Sequence, residues 1–299
     1  MSSQLQELES KVKEYLAFES PNIHTWCSGC GNFGIFNALV RALVLENIAP
    51  HQCLLCFDVG CNGNASDKIN ANTIHGLHGR VLSLAAGCAI GNHKLPVIAI
   101  GGDGGTFSEG INHLIHAVRN NYNFVFICHN NSNYGLTTGQ ASATTRKGQV
   151  MNGTPGEVVV EPLNAAEIVL SLDPSFVARG FSGDVEHLTE LIRRGLNHKG
   201  FAFIEVLQTC PTYNKATPQS WYWPRIKKVE EIPRYDNTDI WQARKVAADL
   251  DEQIAVGLLY YNPNKPDFLS LQKNRQQRST SLVEEVQQFP ISELLEEFK

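Results

Sequence analysis

Three short apolar runs, each stopping at glycine or asparagine, constrain this chain most: CLLCFDVG (53–60), LPVIAIGGDGG (95–105) and FVFICHNN (124–131). A short apolar run without alternation suits a strand buried on both faces, and sheets covered on both faces are typically parallel, with helices as their crossovers. The intervening sequence supplies those helices. NFGIFNALVRALVLENI from Asn32, GRVLSLAAGCAIGN and SEGINHLIHAVRNN space their apolar residues at helical intervals. Further helices are expected around Ala165 to Leu172 and Val185 to Asn197, and FAFIEVLQTC as another strand. The expected fold is α/β: an open, mostly parallel sheet with helices on both faces, its functional loops gathered at the carboxyl ends of the strands.

Residues 1–20 read as a charged N-terminal helical segment and residues 21–211 as the α/β domain. From residue 212 the composition shifts to TYNKATPQSWYWPRIKKVEEIPRYDN, so 212–299 is expected to form a C-terminal extension. With 299 residues and 42% hydrophobic content, the chain has an ordinary globular composition. It has neither the apolar core of a signal peptide nor a run long enough to span a bilayer, which predicts a cytoplasmic protein without membrane contact. Thiols there stay reduced, so disulfides are not expected. A net charge of -5 without a long basic cluster argues against nucleic acid, and RIKKV around Lys227 reads as solvated surface.

Chemistry concentrates in GGDGGTFSEG (101–110) and ICHNNSNYGLTTGQ (127–140). Glycines at a strand end let backbone amides approach a diphosphate, and the next helix N-terminus adds partial positive charge. Magnesium takes hard oxygen ligands in octahedral geometry and is usually completed by substrate phosphates. Asp103, the Asn131 amide oxygen and the backbone carbonyl of Asn133 suit it. This pairing of GDG with a downstream NN resembles the thiamine-diphosphate fingerprint, and the fold it implies is the thiamine-diphosphate-binding fold.

A second pattern surrounds it. WCSGCGNFG with Cys27 and Cys30, DVGCNG with Cys61, HGR at His78 to Arg80, the thiamine motif, NYGLTTGQ and TCPTY with Cys210 follow in one order. From Trp26 to Tyr213 this series resembles the β subunit of two-subunit 2-oxoacid:ferredoxin oxidoreductases, especially the 2-oxoglutarate type. The resemblance implies a [4Fe-4S] cluster on Cys27, Cys30, Cys61 and Cys210. Thiolates are the usual ligands of such clusters, and a four-thiolate structural zinc site is the competing metal reading. Cys53 and Cys56 share the three-residue offset but sit in a strand, where an odd spacing sends side chains to opposite faces. With Cys88 and Cys128 they read as small buried hydrophobes.

The family likeness implies CoA-dependent oxidative decarboxylation of 2-oxoglutarate to succinyl-CoA and CO2. Electrons would pass through the cluster to ferredoxin or a similar carrier, and pyruvate or branched-chain 2-oxoacids are the alternative substrates. Gly104 and Gly105 would meet the diphosphate, Gly135 and Leu136 the adjacent cofactor surface, and Gly60 and Asn62 the region between magnesium and cluster. His78 and Arg80 are candidates for the active-site wall. Thr138 stands where some broad-specificity relatives carry lysine, and a hydroxyl cannot supply that charge. His75 and His129 are marked by proximity alone. Groups that activate thiamine come from the α subunit in the resembling enzymes, so an αβ assembly is expected. A non-oxidative thiamine decarboxylase or a zinc-stabilised binding subunit would be the readings from other classes.

Overall fold

The computed structural model of the chain describes residues 3–154, 156–276, 278–286 and 291–297. Eight strands form one sheet: β1 (Leu54–Phe57), β2 (Asn72–His75), β3 (Val97–Gly102), β4 (Phe124–Asn130), β5 (Phe176–Phe181), β6 (Phe201–Leu207), β7 (Ile226–Lys228) and β8 (Ile254–Tyr261). Their order is β2-β1-β3-β4-β6-β5-β8-β7. Pairing is parallel from β2 through β5, antiparallel between β5 and β8, and parallel between β8 and β7. The open, mostly parallel sheet read from the sequence is the sheet observed.

Strand β4 explains the layering. Phe124, Phe126 and Cys128 pack on one face against α3 (Val81–Gly91), α4 (Ile111–Asn120), α5 (Ala165–Leu170) and α8 (Ile240–Ala247). Val125 and Ile127 pack on the other, against α2 (Asn32–Leu45) and α6 (Val185–Leu196). Both faces are buried, so the strand reads as one continuous apolar run. The same alternation separates two cysteines: Cys53 joins the α2 and α6 face, and Cys56 the opposite one. They cannot share a ligand.

Three strands carry no readable apolar signal, among them β7, whose IKK reads as solvated surface in the sequence and is instead a half-buried strand beside β8. The edge strand β2 is largely exposed. Strand β5, FVARGF, contains Arg179, a charge that interrupts the apolar pattern and is nonetheless fully buried. The segment expected as a C-terminal extension contributes β7 and β8 to the sheet, with α7 (Gln219–Tyr222) ahead of them. Near the N-terminus, α1 (Ser3–Leu16) leans on α2 through Tyr15, and Lys11 Nζ donates to the Val44 carbonyl at 3.0 Å. No helix among the described residues is long and apolar enough to cross a membrane.

Parallel register places the carboxyl ends of β1, β3, β4 and β6 side by side. Asp58, Asp103, Asn131 and Gln208 therefore leave the sheet along one edge.

Candidate active site

A cavity opens at that edge, lined by Gly60, Cys61, Asn62, His78, Asp103, Gly104, Gly105, Asn131, Asn133, Gly135 and Leu136. All were expected there. The fold also brings in Val59, Gly102, His129, Tyr134, Thr137 and Gln208. Arg80 and Thr138 do not line it. Arg80 is exposed and donates to the carbonyl of Glu109 at 3.0 Å, bracing the loop behind His78. Thr138 is exposed at φ 78°, a left-handed conformation uncommon for a β-branched residue. It closes a turn in which the Gly139 N–H donates to the Tyr134 carbonyl at 2.8 Å.

Asp103 caps a short π-helical turn, Gly104–Glu109, which leads into α4. Its side chain is buried, and Oδ2 accepts from Ser142 Oγ at 2.5 Å and Thr144 Oγ1 at 2.6 Å. Burial nevertheless pushes its carboxyl up to about 6, against the pull of those two hydroxyls. A buried carboxylate with this bias is stabilised by an added cation. Asn131 Oδ1 accepts from the Asn133 N–H at 3.0 Å, which sets the amide beside Asp103 in the cavity wall. Hard oxygen donors thus face a space rimmed by glycine, the chemistry that fits magnesium and a diphosphate. Close packing makes Gly104 obligatory, because a Cβ there would stand 2.5 Å from the Tyr134 ring.

Behind Asp103 runs a buried polar chain. Thr144 Oγ1 is also 2.9 Å from Asn130 Oδ1; Asn130 Nδ2 donates to Glu205 Oε1 at 2.8 Å; Arg179 Nε donates to Glu205 Oε2 at 2.8 Å. An ionised Glu205 can only accept, so Asn130 must present its amino group there; with the single Thr144 proton on Asp103, the Asn130 oxygen accepts from Ser132 Oγ at 3.4 Å.

Beneath Val59, Asp58 Oδ1 accepts the N–H groups of Val59 and Gly79 at 2.9 and 2.8 Å, while Oδ2 is buried without a partner. Desolvation raises this carboxyl above the usual range. His78 Nδ1 lies 4.0 Å from Asp58 Oδ1 and 3.2 Å from Glu109 Oε2. His129 is buried, and desolvation lowers it to about 3, so its ring stays neutral.

The four expected cysteines converge from three loops next to the cavity. Cys27 and Cys30 are joined by a turn closed by the Cys30 N–H on the Cys27 carbonyl at 3.0 Å, and Gly29 takes the left-handed φ of 78° it needs. The Gly31 N–H donates to the Thr209 carbonyl at 3.0 Å, tying this loop to the exit of β6 beside Cys210. Trp26 Nε1 donates to the Cys61 carbonyl at 2.6 Å, tying it to the exit of β1. Burial, then the neighbouring Cys30, Cys210 and Cys27, push the Cys61 thiol up to about 12. Cys30 is raised by burial and by Cys210 and Cys27. Thiols that oppose one another's ionisation become thiolates together only around positive charge.

Cavity and cysteines share a wall. Cys61 belongs to both, and a Cβ on Gly135 would meet Cys61 Sγ at 3.2 Å and Asn133 Oδ1 at 3.4 Å.

Residues 58–206 match the family of the thiamine pyrophosphate enzyme C-terminal TPP binding domain, and residues 210–276 match the C-terminal part of the pyruvate ferredoxin oxidoreductase β chain. A 2-oxoacid:ferredoxin oxidoreductase β subunit of a Sulfolobus species is 36% identical over 85% of this chain and 87% of its own length. The chain is a member of the 2-oxoacid:ferredoxin oxidoreductase β-subunit family. The corresponding protein of Saccharolobus solfataricus is 40% identical over 71% of this chain and 70% of its own. The 2-oxoglutarate synthase subunit KorB of Methanothermobacter thermautotrophicus is 36% identical over 64% and 66%. Among solved structures, the 2-oxoglutarate:ferredoxin oxidoreductase of Magnetococcus marinus, with 2-oxoglutarate, coenzyme A and succinyl-CoA bound, superposes with a TM-score of 0.85 at 29% identity, covering 96% of each chain. The chain is thus an oxidoreductase subunit with a thiamine-diphosphate-binding domain, and a β subunit implies an α partner.

Ser142 and Thr144, Asp58, Glu109, His129 and Gln208 were not singled out by motif. Only the repeated hydroxyls of SATT (142–145) and the strand-end position of Gln208 could have pointed to them.

Proposed function

We propose that this β subunit, with its α partner, converts 2-oxoglutarate and coenzyme A to succinyl-CoA and CO2 and passes the electrons through a [4Fe-4S] cluster on Cys27, Cys30, Cys61 and Cys210 to ferredoxin or a similar carrier. The observation that carries this reading is the wall shared by the cavity and the cysteines, with Cys61 in both. Relatives named for 2-oxoglutarate support the substrate.

Thiamine diphosphate, when bound, supplies the electron sink for decarboxylation, and the cluster supplies single-electron transfer. The chain's own residues hold and orient. Asp103 and the Asn131 amide oxygen, with the Asn133 carbonyl, would ligate magnesium; the backbone at Gly104 and Gly105 would meet the diphosphate; Gly60, Asn62, Gly135 and Leu136 would wall the cofactor. His78, whose Nδ1 is 3.2 Å from Glu109 Oε2 but makes no hydrogen bond, is a polar side chain of the cavity wall that could face substrate, whereas Arg80 braces the loop and Thr138 shapes the turn. A four-thiolate zinc site is the competing reading of these cysteines, and the metal content of the purified enzyme separates the two.

The match of residues 210–276 to the pyruvate ferredoxin oxidoreductase β family makes pyruvate the second substrate to test. The test is acceptor reduction by the purified αβ enzyme with 2-oxoglutarate or pyruvate, in wild type, Asp103→Ala and Cys61→Ala. Preference for 2-oxoglutarate, loss of magnesium-dependent cofactor binding in Asp103→Ala and loss of cluster iron in Cys61→Ala are expected. Unchanged binding and iron in those variants would reject the site, and higher turnover with pyruvate would reject the substrate.

A further inference from the structure

Gln208 stands where the two halves of the site meet. It is 1% exposed and lines the cavity, yet its Nε2 lies 3.6 Å from Cys30 Sγ on the cysteine side. A Cβ on Gly31 would stand 2.6 Å from Gln208 Cγ, so the glycine following Cys30 is what lets the amide lie against that sulfur. The Gln208 Oε1 is buried without a donor.

A second orphan lies two groups away. His129 Nδ1 is 2.8 Å from Asn32 Oδ1, and the Asn32 amide nitrogen is buried without an acceptor. Gln208 lines the same cavity as His129. Buried amide groups are paired as a rule, and the oxygen and nitrogen of an amide exchange places by a half turn. Turning Asn32 over gives its amino group an acceptor and the Gln208 oxygen a donor, and leaves the Asn32 oxygen in the place its nitrogen held. Its N–H then donates to His129 Nδ1, the neutral ring carries its proton on Nε2 and donates to Gln208 Oε1, and the Gln208 N–H remains on Cys30 Sγ.

We propose that Gln208 is a positioning residue for the cluster: the directed chain from Asn32 through His129 to Gln208 aims an amide N–H at Cys30 Sγ and raises the reduction potential of the [4Fe-4S] centre. This rests on the cluster reading above. A donor to a ligating sulfur stabilises the electron-rich reduced cluster more than the oxidised one, and such bonds are among the levers that set these potentials. Because His129 also lines the cofactor cavity, the donor is anchored by the wall that faces the electron source.

The test is a redox titration of the assembled αβ enzyme followed by electron paramagnetic resonance, with iron and zinc counted on the same samples. Gln208→Leu is expected to retain its iron and to lower the ratio of reduced to oxidised cluster about tenfold at fixed potential, a negative shift of ~59 mV for one electron. His129→Phe, which removes the group that aims the amide, is expected to shift it the same way by less. An unchanged potential in Gln208→Leu with full iron overturns the inference and leaves the cluster reading standing. Should Gln208→Leu fail to hold iron, His129→Phe decides: a negative shift supports the inference and no shift overturns it. Stoichiometric zinc in the wild-type enzyme would overturn the cluster reading itself.

Discussion

At the scale of single residues, the site depends on side chains that touch its ligands only through others. Asp103 is the clearest case: two hydroxyls, Ser142 and Thr144, meet the same carboxylate oxygen. A hydrogen bond to a charged group contributes ~1.5–3 kcal/mol, so Thr144→Val is expected to raise the magnesium concentration for half-maximal thiamine diphosphate binding by about tenfold or more. Thr144→Ser, which keeps the hydroxyl, should stay near wild type. Titration calorimetry over a magnesium series checks this, and equal half-saturation in Val and wild type would dismiss Thr144. The cysteines divide in the same manner. Cys61→Ala should lose cluster iron, whereas Cys56→Ala, on the sheet face beside Cys88, should change stability alone; iron assay and thermal melting separate the two. His198 offers a residue-level pH test away from the site. Burial holds it down to about 4, with Ser175 Oγ 2.8 Å from Nε2. The unfolded chain binds this proton below pH ~6.5 and the folded chain does not, so stability is full above that pH and falls toward pH 4 by up to ~1.4 kcal/mol per unit. His198→Gln should flatten that slope in urea denaturation between pH 7 and 5; an unaltered slope would assign the dependence elsewhere.

At the scale of elements, legibility followed burial pattern and turn chemistry. Strands β1, β3, β4 and β6 announced themselves as apolar runs because both of their faces are covered, and the loops at their ends carried the glycines and asparagines that mark the site. Strand β5 did not, because Arg179 interrupts FVARGF; only the partner strand supplies its meaning, with Glu205 directly opposite in register. Strand β8 was not legible either: it lies in the segment expected as a C-terminal extension, and its place, antiparallel to β5, depends on a long-range pairing that periodicity does not encode. Arg179 and Glu205 are 0% and 1% exposed, so removing one leaves an unpaired charge in the core. Arg179→Met is expected to destabilise the chain by ~3–5 kcal/mol, read from the urea midpoint. A loss under 1 kcal/mol would mean that Asn130 and solvent rescue Glu205.

At the scale of the whole molecule, the parallel sheet delivers residues far apart in sequence to one edge: Cys61 after β1, Asp103 after β3, Asn131 after β4, and Gln208 and Cys210 after β6. The motifs were readable because each sits on a strand end where local geometry demands particular residue types. The supporting residues were not, because Thr144, Asn130 and His129 matter only through neighbours that the fold brings to them. Half-exposed Leu136 lies on the rim of the cavity. We propose that cofactor cavity and cysteine cluster act as one redox unit. The anaerobic electron paramagnetic resonance spectrum of the purified αβ enzyme, before and after 2-oxoglutarate and coenzyme A, tests this. A cluster signal that appears or changes on adding substrate is expected; a silent sample holding zinc in place of iron would refute it.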